Sequence, residues 1–161
     1  MSKYNITENK QQRPAAYRTT VSPEVMDELQ RKVIQKIVVE ECYRDKNYSA
    51  RQLAQDLGTN TRYISAVVNN RFHKNYTELV NGYRVEEAMS LMVDRRYQKT
   101  NIEDISAMVG FSNRQSFYAA FYRFVGKTPR QYRVEELEKR AIDTTPKKRG
   151  RKPKNRQEGN A

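Results

Sequence analysis

Apolar side chains recur at helical spacing through most of the central part of the chain. Residues 101–125 show this most clearly, because one apolar face before Gly110 and another after it predict two short helices joined by a glycine turn. Ser112 is predicted to cap the second helix, with Gln115 completing a capping box. The apolar positions are Ile102, Ile105, Met108 and Val109 in the first helix and Phe117, Phe121, Phe124 and Val125 in the second.

The opposite side of the second helix carries only side chains that form hydrogen bonds. These are Asn113, Arg114, Gln115, Ser116 and Tyr118. A short helix, a tight turn and a second helix with one apolar and one polar face are typical of a helix-turn-helix. Motifs of this kind place the second helix in the major groove of DNA, so the polar face is the candidate reading surface.

The same arrangement occurs earlier in the chain, at about 49–70, where Ser49 and Gln52 predict a capping box and Gly58 a turn. The chain is therefore predicted to contain two helix-turn-helix units, the second with one extra residue in its turn. Leu53, Leu57 and Gly58 match Ile105, Val109 and Gly110 at an offset of 52, and Asn60, Ile64, Ala66 and Val68 match Asn113, Phe117, Ala119 and Phe121 at an offset of 53.

Three further helices complete the pattern. Ser22 and Pro23 begin a long helix predicted to reach about Arg44, and Thr128-Pro129 begin the last one, with Gln131 closing a capping box. Between the two units, 76–97 predicts a connector helix about 33 Å long. Because one turn of B-DNA is about 34 Å, a connector of this length suits two reading helices in successive major grooves.

The second unit closely resembles the signature of the AraC/XylS family of bacterial transcriptional regulators. The resemblance rests on the run G-F-x-x-x-x-x-F-x-x-x-F from Gly110 to Phe121, followed by G-x-T-P-x-x-Y-R from Gly126 to Arg133. It implies an all-α, seven-helix AraC-type DNA-binding domain, made of two helix-turn-helix subdomains joined by the long connector. In that arrangement the third and sixth helices are the readers.

The resemblance covers residues 22–140. Residues 1–21 are predicted to be a flexible N-terminal arm, too short for a sensing domain, so this chain resembles the small standalone regulators and no small-molecule ligand is expected. Residues 141–161 are predicted to be a disordered basic tail.

The net charge of the chain is +12, which favours a polyanionic partner, nucleic acid before membrane. Residues 144–161 contain seven Lys and Arg against one Glu and so hold half of the excess. The tail resembles an AT-hook, whose Arg149, Gly150 and Arg151 would enter the minor groove of A/T-rich DNA. Lys152 departs from the hook pattern, and a polybasic tail that binds phosphates is the alternative.

Composition also narrows the function class. With one Cys and one His, a Cys/His zinc site cannot be assembled, and the chain has neither a glycine-rich phosphate loop nor a plausible Ser/His/Asp set. We therefore expect no metal, no cofactor and no enzymatic activity. The absence of a signal peptide or a long apolar run predicts a cytoplasmic, nucleoid-associated protein.

Base recognition is assigned to the polar faces of the two reading helices. Arg matches guanine and Gln matches adenine with two hydrogen bonds each, whereas Ala66 and Ala119, where relatives often carry long basic residues, would contact at most a thymine methyl. Solvated surface positions are the alternative interpretation. The predicted base readers are Thr61, Arg62, Ser65 and Asn69 in the first unit and Asn113, Arg114, Gln115 and Tyr118 in the second, and the predicted phosphate contacts are Arg71, Ser116, Arg123 and Lys127.

These observations predict a transcriptional regulator that binds an asymmetric duplex site as a monomer, with two helices in successive major grooves. It would act by recruiting RNA polymerase or by occluding a site. An architectural protein of the nucleoid that prefers A/T-rich DNA is the second hypothesis, since the charge and the tail alone would suffice for it.

Overall fold

The computed structural model describes residues 21–143; the predictions for the arm before Val21 and for the tail from Thr144, including Arg149, Gly150 and Arg151, lie outside this part. Within it the chain forms seven α-helices and no strand, which confirms the predicted all-α class. The helices are α1 (Pro23–Ile34), α2 (Ala50–Asp56), α3 (Thr61–Phe72), α4 (Tyr76–Val93), α5 (Ile102–Met108), α6 (Arg114–Val125) and α7 (Pro129–Asp143).

A short polar side chain precedes each helix and accepts a backbone N–H of the first turn, which satisfies one of the donors that a helix start leaves unpaired. These caps are Ser22, Ser49, Asn60, Asn75, Asn101, Asn113 and Thr128, with oxygen–nitrogen distances between 2.7 and 3.4 Å. The start of each helix is therefore marked in the sequence by a residue whose side chain accepts a hydrogen bond.

Of the three predicted capping boxes, one forms as predicted and two differ. The box of Thr128 and Gln131 is confirmed, since Gln131 also accepts the Thr128 N–H at 3.0 Å. The box at Ser49 is only half formed, because Gln52 donates to Asp56 at 2.9 Å instead. The cap of α6 is Asn113 and not Ser112, because the extra residue of the second turn leaves Ser112 outside the helix.

The first predicted helix does not run unbroken to Arg44. It passes at Ile34 into a π-helical turn, Gln35–Val39, and the chain reverses at Glu41, whose φ is 53°, before the 3-10 turn Cys42–Arg44. The hydrophobic pattern does not reveal this break, because the buried residues keep helical spacing across the start of the π turn. These residues are Met26, Leu29, Val33 and Ile37.

The connector is also shorter than predicted. α4 has 18 residues, which corresponds to about 27 Å, and is followed by the 3-10 turn Arg95–Tyr97. The Arg133 guanidinium holds the segment after this turn by donating to the carbonyls of Tyr97 and Thr100, each at 2.7 Å. The predicted equality between the connector and one duplex turn is therefore not observed.

α4 is shared by two hydrophobic cores. Its N-terminal part packs with α1, α2 and α3 around aliphatic side chains such as Ile64 and Val67, and its C-terminal part packs with α5 and α6 around Phe117 and Phe121. Phe124 was predicted to belong to the second apolar face but is 40% exposed. Its ring lies instead over the surface of α4, 3.5 Å from the position of a Cβ on Gly82.

The ends of the predicted domain shift slightly. Val21, assigned to the arm, is half-buried against the first core, and α7 continues through Asp143, so residues 141–143 belong to a helix and not to the tail. Among residues 21–143, no helix is both long and apolar enough to cross a membrane.

Candidate nucleic-acid interface

The predicted repeat is visible in the backbone. The residue that follows α2, Leu57, has φ −91° and ψ 2°, and the matching residue after α5, Val109, has φ −88° and ψ 2°. The next residues, Gly58 and Gly110, both have positive φ, 63° and 99°. Two helix-turn-helix units whose first helices end with the same geometry are therefore present, and α3 and α6 are their second helices.

α3 presents the predicted first reading surface to solvent. Thr61, Arg62 and Ser65 are exposed and Asn69 is half-buried, while Ile64, Val67 and Val68 on the other side belong to the first core. The structure therefore places the four predicted base readers outside the core.

Ala66 does not lie on this surface. It is fully buried as part of the first core, so the prediction that its methyl could contact thymine is wrong. The matching Ala119 is exposed, and contact of its methyl with a base stays a prediction.

α6 presents the second predicted surface, on which the Arg114 side chain has two neighbours. Its Nη1 lies 3.4 Å from Oε1 of Glu103, and its guanidinium lies 4.8 Å from the centre of the Tyr118 ring. Tyr118 is itself half-buried, with its ring edge-on to Phe117. A carboxylate and an aromatic face together orient a guanidinium before any ligand arrives. Gln115 lies beside it and is exposed.

Two of the predicted base readers already use part of their amide group inside the protein. The Asn113 side-chain oxygen accepts the Ser116 N–H at 2.8 Å, and the Asn69 side-chain nitrogen donates to the Ser65 carbonyl at 2.8 Å. Pairing with adenine requires an amide oxygen and an amide nitrogen together. In these rotamers, the backbone occupies one hydrogen-bonding position of each side chain, and the second lone pair of the Asn113 oxygen and the second N–H of Asn69 remain for a base.

The three basic side chains predicted to contact phosphate are each paired with a carboxylate. Arg71 on α3 pairs with Asp27 on α1, Arg123 on α6 pairs with Glu78 on α4, and Lys127 pairs with Glu135 on α7. The fourth predicted contact, Ser116, is exposed. The structure thus gives the three cations a role between helices that the sequence did not reveal.

Glu78 illustrates why such a pair forms. It accepts the Asn75 N–H at 3.0 Å as part of a capping box, and this bond, followed by the charge of Arg123, holds the pKa of Glu78 below its usual value. A carboxylate that caps the start of α4 also neutralises a cation of the neighbouring α6.

A cleft of about 580 Å³ lies between the two predicted reading surfaces. Ser65 of α3 lies on one side, and Ser116 and Ala119 of α6 lie on the other. The N-terminal turn of α4 lines the cleft between them, with Thr77 and Asn81. Predicted DNA-contacting residues of both units therefore border one concave surface.

Glu103 was not among the predicted site residues. An acidic residue near a DNA surface carries no positive signal in the sequence, and the matching residue of the first unit is Arg51, so the repeat did not indicate it either. Among residues 21–143, no group of three or more His, Cys, Asp and Glu side chains is arranged to hold a metal ion.

Comparison with known proteins places this geometry among helix-turn-helix domains. Residues 53–135 match the family model described as a helix-turn-helix domain. None of the curated proteins compared with the chain matches it significantly.

Three solved structures are similar. The C-terminal domain of the two-component response regulator yesN from Fusobacterium nucleatum is 26% identical, with a TM-score of 0.56 over 64% of this chain and 96% of that one. A protein of unknown function from Listeria innocua is 25% identical, with a TM-score of 0.58 over 65% and 94%. The C-terminal domain of AraT, a response regulator from Geobacillus stearothermophilus, is 23% identical, with a TM-score of 0.57 over 71% and 86%, and shows the fold alone.

Proposed function

The chain belongs to the AraC-type helix-turn-helix family, and on that premise we propose that it is a transcription regulator that binds a specific duplex sequence with α3 and α6 in successive major grooves. One observation carries the proposal. Two helix-turn-helix units, each with an apolar side in its own core and a polar side in solvent, border a single concave surface. A module with one reading helix would need a dimer to present two such surfaces, whereas a single copy of this chain carries both.

Phosphate binding requires an exchange of partners in this proposal. Surface ion pairs contribute little because both charges stay solvated, so a phosphate oxygen can replace the carboxylate on Arg71, Arg123 or Lys127 at small cost. Release of counterions from the duplex then supplies the sequence-independent part of the affinity. The carboxylates left behind repel the duplex, which lowers affinity for DNA that offers no base contacts.

The tail adds a contact outside the two major grooves. We propose that Arg149, Gly150 and Arg151 bind the minor groove or the phosphates next to the reading site. Deleting residues 144–161 should weaken binding to every duplex and flatten the dependence of affinity on salt. An unchanged salt slope, measured by titration of the same duplex between 50 and 200 mM salt, would show that the tail does not touch DNA.

The reading assignment is tested by substitutions on the two faces. Arg114→Ala with Gln115→Ala should cost about 1–3 kcal/mol of specific binding for each residue, and Arg62→Ala should do the same on α3. Arg95→Ala is the control, because Arg95 is also exposed and cationic but lies in the 3-10 turn after α4, outside both helix-turn-helix units. Binding to a site selected from random duplexes, together with unchanged circular dichroism, measures the effect; affinity equal to that of the control would refute the assignment.

The architectural hypothesis rests on the net charge of +12 together with the basic tail. A regulator should prefer one selected site over random duplex by at least about 10³-fold, whereas an architectural protein should respond only to A/T content. Competition with duplexes of equal A/T content and scrambled sequence separates the two functions. Recruitment of RNA polymerase, as opposed to occlusion, would appear as activation in a transcription assay with a purified polymerase.

A further inference from the structure

The turn of the second unit lies directly against the backbone of another part of the chain. A Cβ on Gly110 would be 2.6 Å from the Arg44 carbonyl oxygen and 2.7 Å from that of Tyr43, too close for any L side chain. Gly58, at the same place in the first unit, has nothing within 4 Å. Glycine at 58 therefore serves the turn alone, whereas glycine at 110 also permits a close approach to the 3-10 turn Cys42–Arg44.

Arg84 of α4 contacts both segments that meet here, the 3-10 turn and the turn of the second unit. Its Nε donates to the Tyr43 carbonyl at 2.6 Å and its Nη2 to the Asp45 carbonyl at 3.1 Å. The same guanidinium lies 5.6 Å from the ring centre of Phe111, the residue after Gly110. Burial lowers the pKa of Arg84 from its ordinary value, and the carbonyl oxygens compensate the guanidinium for the lost water. One side chain therefore touches the 3-10 turn and the turn of the second unit.

A second contact ties the 3-10 turn to α4. Arg44 donates from Nε and Nη2 to the two carboxylate oxygens of Glu87, the first bond at 3.0 Å. Such two-bond pairing fixes direction as well as distance. On the other side of the turn, Tyr43 is buried and its ring stacks on Tyr83 of α4, with centres 6.1 Å apart.

We propose that these contacts form a junction, made of Tyr43, Arg44, Arg84, Glu87 and Gly110, that fixes the separation and angle of α3 and α6 and so makes the protein selective for the spacing between two half-elements of its binding site. The first unit carries the 3-10 turn at its N-terminal side, and the second unit carries Gly110, so the junction joins the units directly and not only through α4. This inference rests on the proposed function, because spacing has meaning only for a duplex read by both helices.

The consequence for DNA is geometric. One inserted base pair rotates one half-element relative to the other by roughly 35° and moves it by about 3.4 Å. A protein with freely adjusting units would follow this change, whereas units held by the junction cannot keep both helices in their grooves. The junction residues are positioning residues, since none of them belongs to the predicted reading surfaces.

The first experiment uses no DNA. Spin labels are placed at Gln55→Cys on α2 and Ala107→Cys on α5, matching exposed positions of the two units, in a full chain with Cys42→Ser. The distance distribution between the labels should be narrow in this background and at least about twofold broader with Gly110→Ala. Gly58→Ala is the control, because it also places an L residue at positive φ but meets no neighbour.

The second experiment measures spacing selectivity on the site selected from random duplexes. One inserted base pair between the half-elements should weaken binding of the wild-type protein at least about 30-fold, since most contacts of one unit are lost. The penalty should fall below about fivefold in Gly110→Ala and in Glu87→Gln, which removes the α4 charge that pairs with Arg44 and leaves Arg44 its local ion pair with Glu41. Gly58→Ala and Glu86→Gln, which changes the exposed neighbouring carboxylate, should keep the full penalty.

The outcomes separate the two proposals. If the wild-type protein selects no site, the proposed function fails. If it selects a two-part site but the insertion penalty is the same in Glu87→Gln and Glu86→Gln, or the label distances are equally narrow in all folded variants, the junction does not set the spacing. Glu87→Gln and Arg84→Lys keep the test decisive if Gly110→Ala does not fold, because neither introduces a steric clash.

Discussion

The first helices of the two helix-turn-helix units end in the same way but have different surroundings. Leu57 and Val109 end their helices with the same dihedral angles, and a left-handed glycine follows each. The turn at Gly58 is open to solvent, whereas the turn at Gly110 is closed against the backbone of the Cys42–Arg44 turn. The same motif therefore has a solvent-exposed turn in the first unit and a turn packed against another part of the chain in the second.

The cores of the units differ as well. The first is mainly aliphatic around α3, with Ile64 fully buried. The second contains a chain of rings in which Phe117 meets Phe111, Tyr118 and Phe121 at centre distances of 5.1 to 5.8 Å. Edge-to-face contacts of this kind add to the burial of the rings. The stability of the second unit should therefore depend more on Phe117 than the stability of the first unit depends on Ile64.

The largest expected effect compares the two central residues. Phe117→Ala should lower the free energy of unfolding by about 3–5 kcal/mol, and Ile64→Ala by about 2–5 kcal/mol, with the aromatic substitution the more damaging because three ring contacts are lost with it. Urea unfolding followed by circular dichroism measures both. If Ile64→Ala is the more destabilising substitution, the ring contacts of Phe117 do not make the second core more sensitive than the first.

The next effect compares the two turn glycines. Gly58→Ala should cost about 1–2 kcal/mol, the cost of placing a Cβ in a left-handed conformation. Gly110→Ala should cost about 1–3 kcal/mol more, because its Cβ also overlaps the carbonyl oxygens of Tyr43 and Arg44. The difference between the two variants in thermal unfolding measures the cost of this overlap. Equal costs would mean that the turn of the second unit is as open as that of the first.

A smaller effect lies at the ends of the reading helices. α3 ends at His73 with φ 54°, and α6 ends at the matching Gly126 with φ 74°. His73→Gly should stabilise the protein by up to about 1 kcal/mol, and Gly126→Ala should destabilise it by about 1 kcal/mol, because only glycine adopts this conformation without strain. Melting temperatures that shift in the same direction for both would show that the two helix ends are not equivalent.

Local signals in the sequence were enough to predict much of this molecule. Apolar spacing, polar caps and turn glycines depend on neighbouring residues, and they located both units and the exposed polar faces of α3 and α6. The repeat with its single extra residue was also visible, since Asn60 and Asn113 cap the corresponding helices. Ser112 was mistaken for the second cap, because a serine and an asparagine are equally good caps and only the backbone decides between them.

Contacts between residues distant in sequence could not be predicted in the same way. Arg84 meets the carbonyls of Tyr43 and Asp45 across about 40 residues, and backbone acceptors leave no mark in a sequence. The ion pairs of Arg71 and Arg123 likewise join helices whose relative placement the hydrophobic pattern does not specify. The reversal at Glu41 was missed because glutamate is not a residue that signals a left-handed turn.

The smallest expected effect concerns the side chain that orients Arg114. The first unit has Thr61 at the position of Arg114 and Arg51 at that of Glu103, so only the second unit combines a guanidinium with a carboxylate here. Glu103 and Arg114 are about half and two-thirds exposed, so their attraction is screened and should matter little to stability. Its effect should appear on DNA instead.

Glu103→Gln should strengthen binding to random duplex by roughly two- to fivefold at low salt, because a negative charge beside the phosphates is removed. It should also reduce the preference for the selected site, because the amide holds the Arg114 guanidinium less firmly and more of its freedom is lost on binding. Asp104→Asn is the matched control: it removes the same charge one residue away, on a side chain without an ion pair among the described residues. Titration of specific and scrambled duplexes at 50 and 200 mM salt measures both quantities. If the two variants change the preference equally, Glu103 acts only through its charge and the orientation of Arg114 is set by the Tyr118 ring.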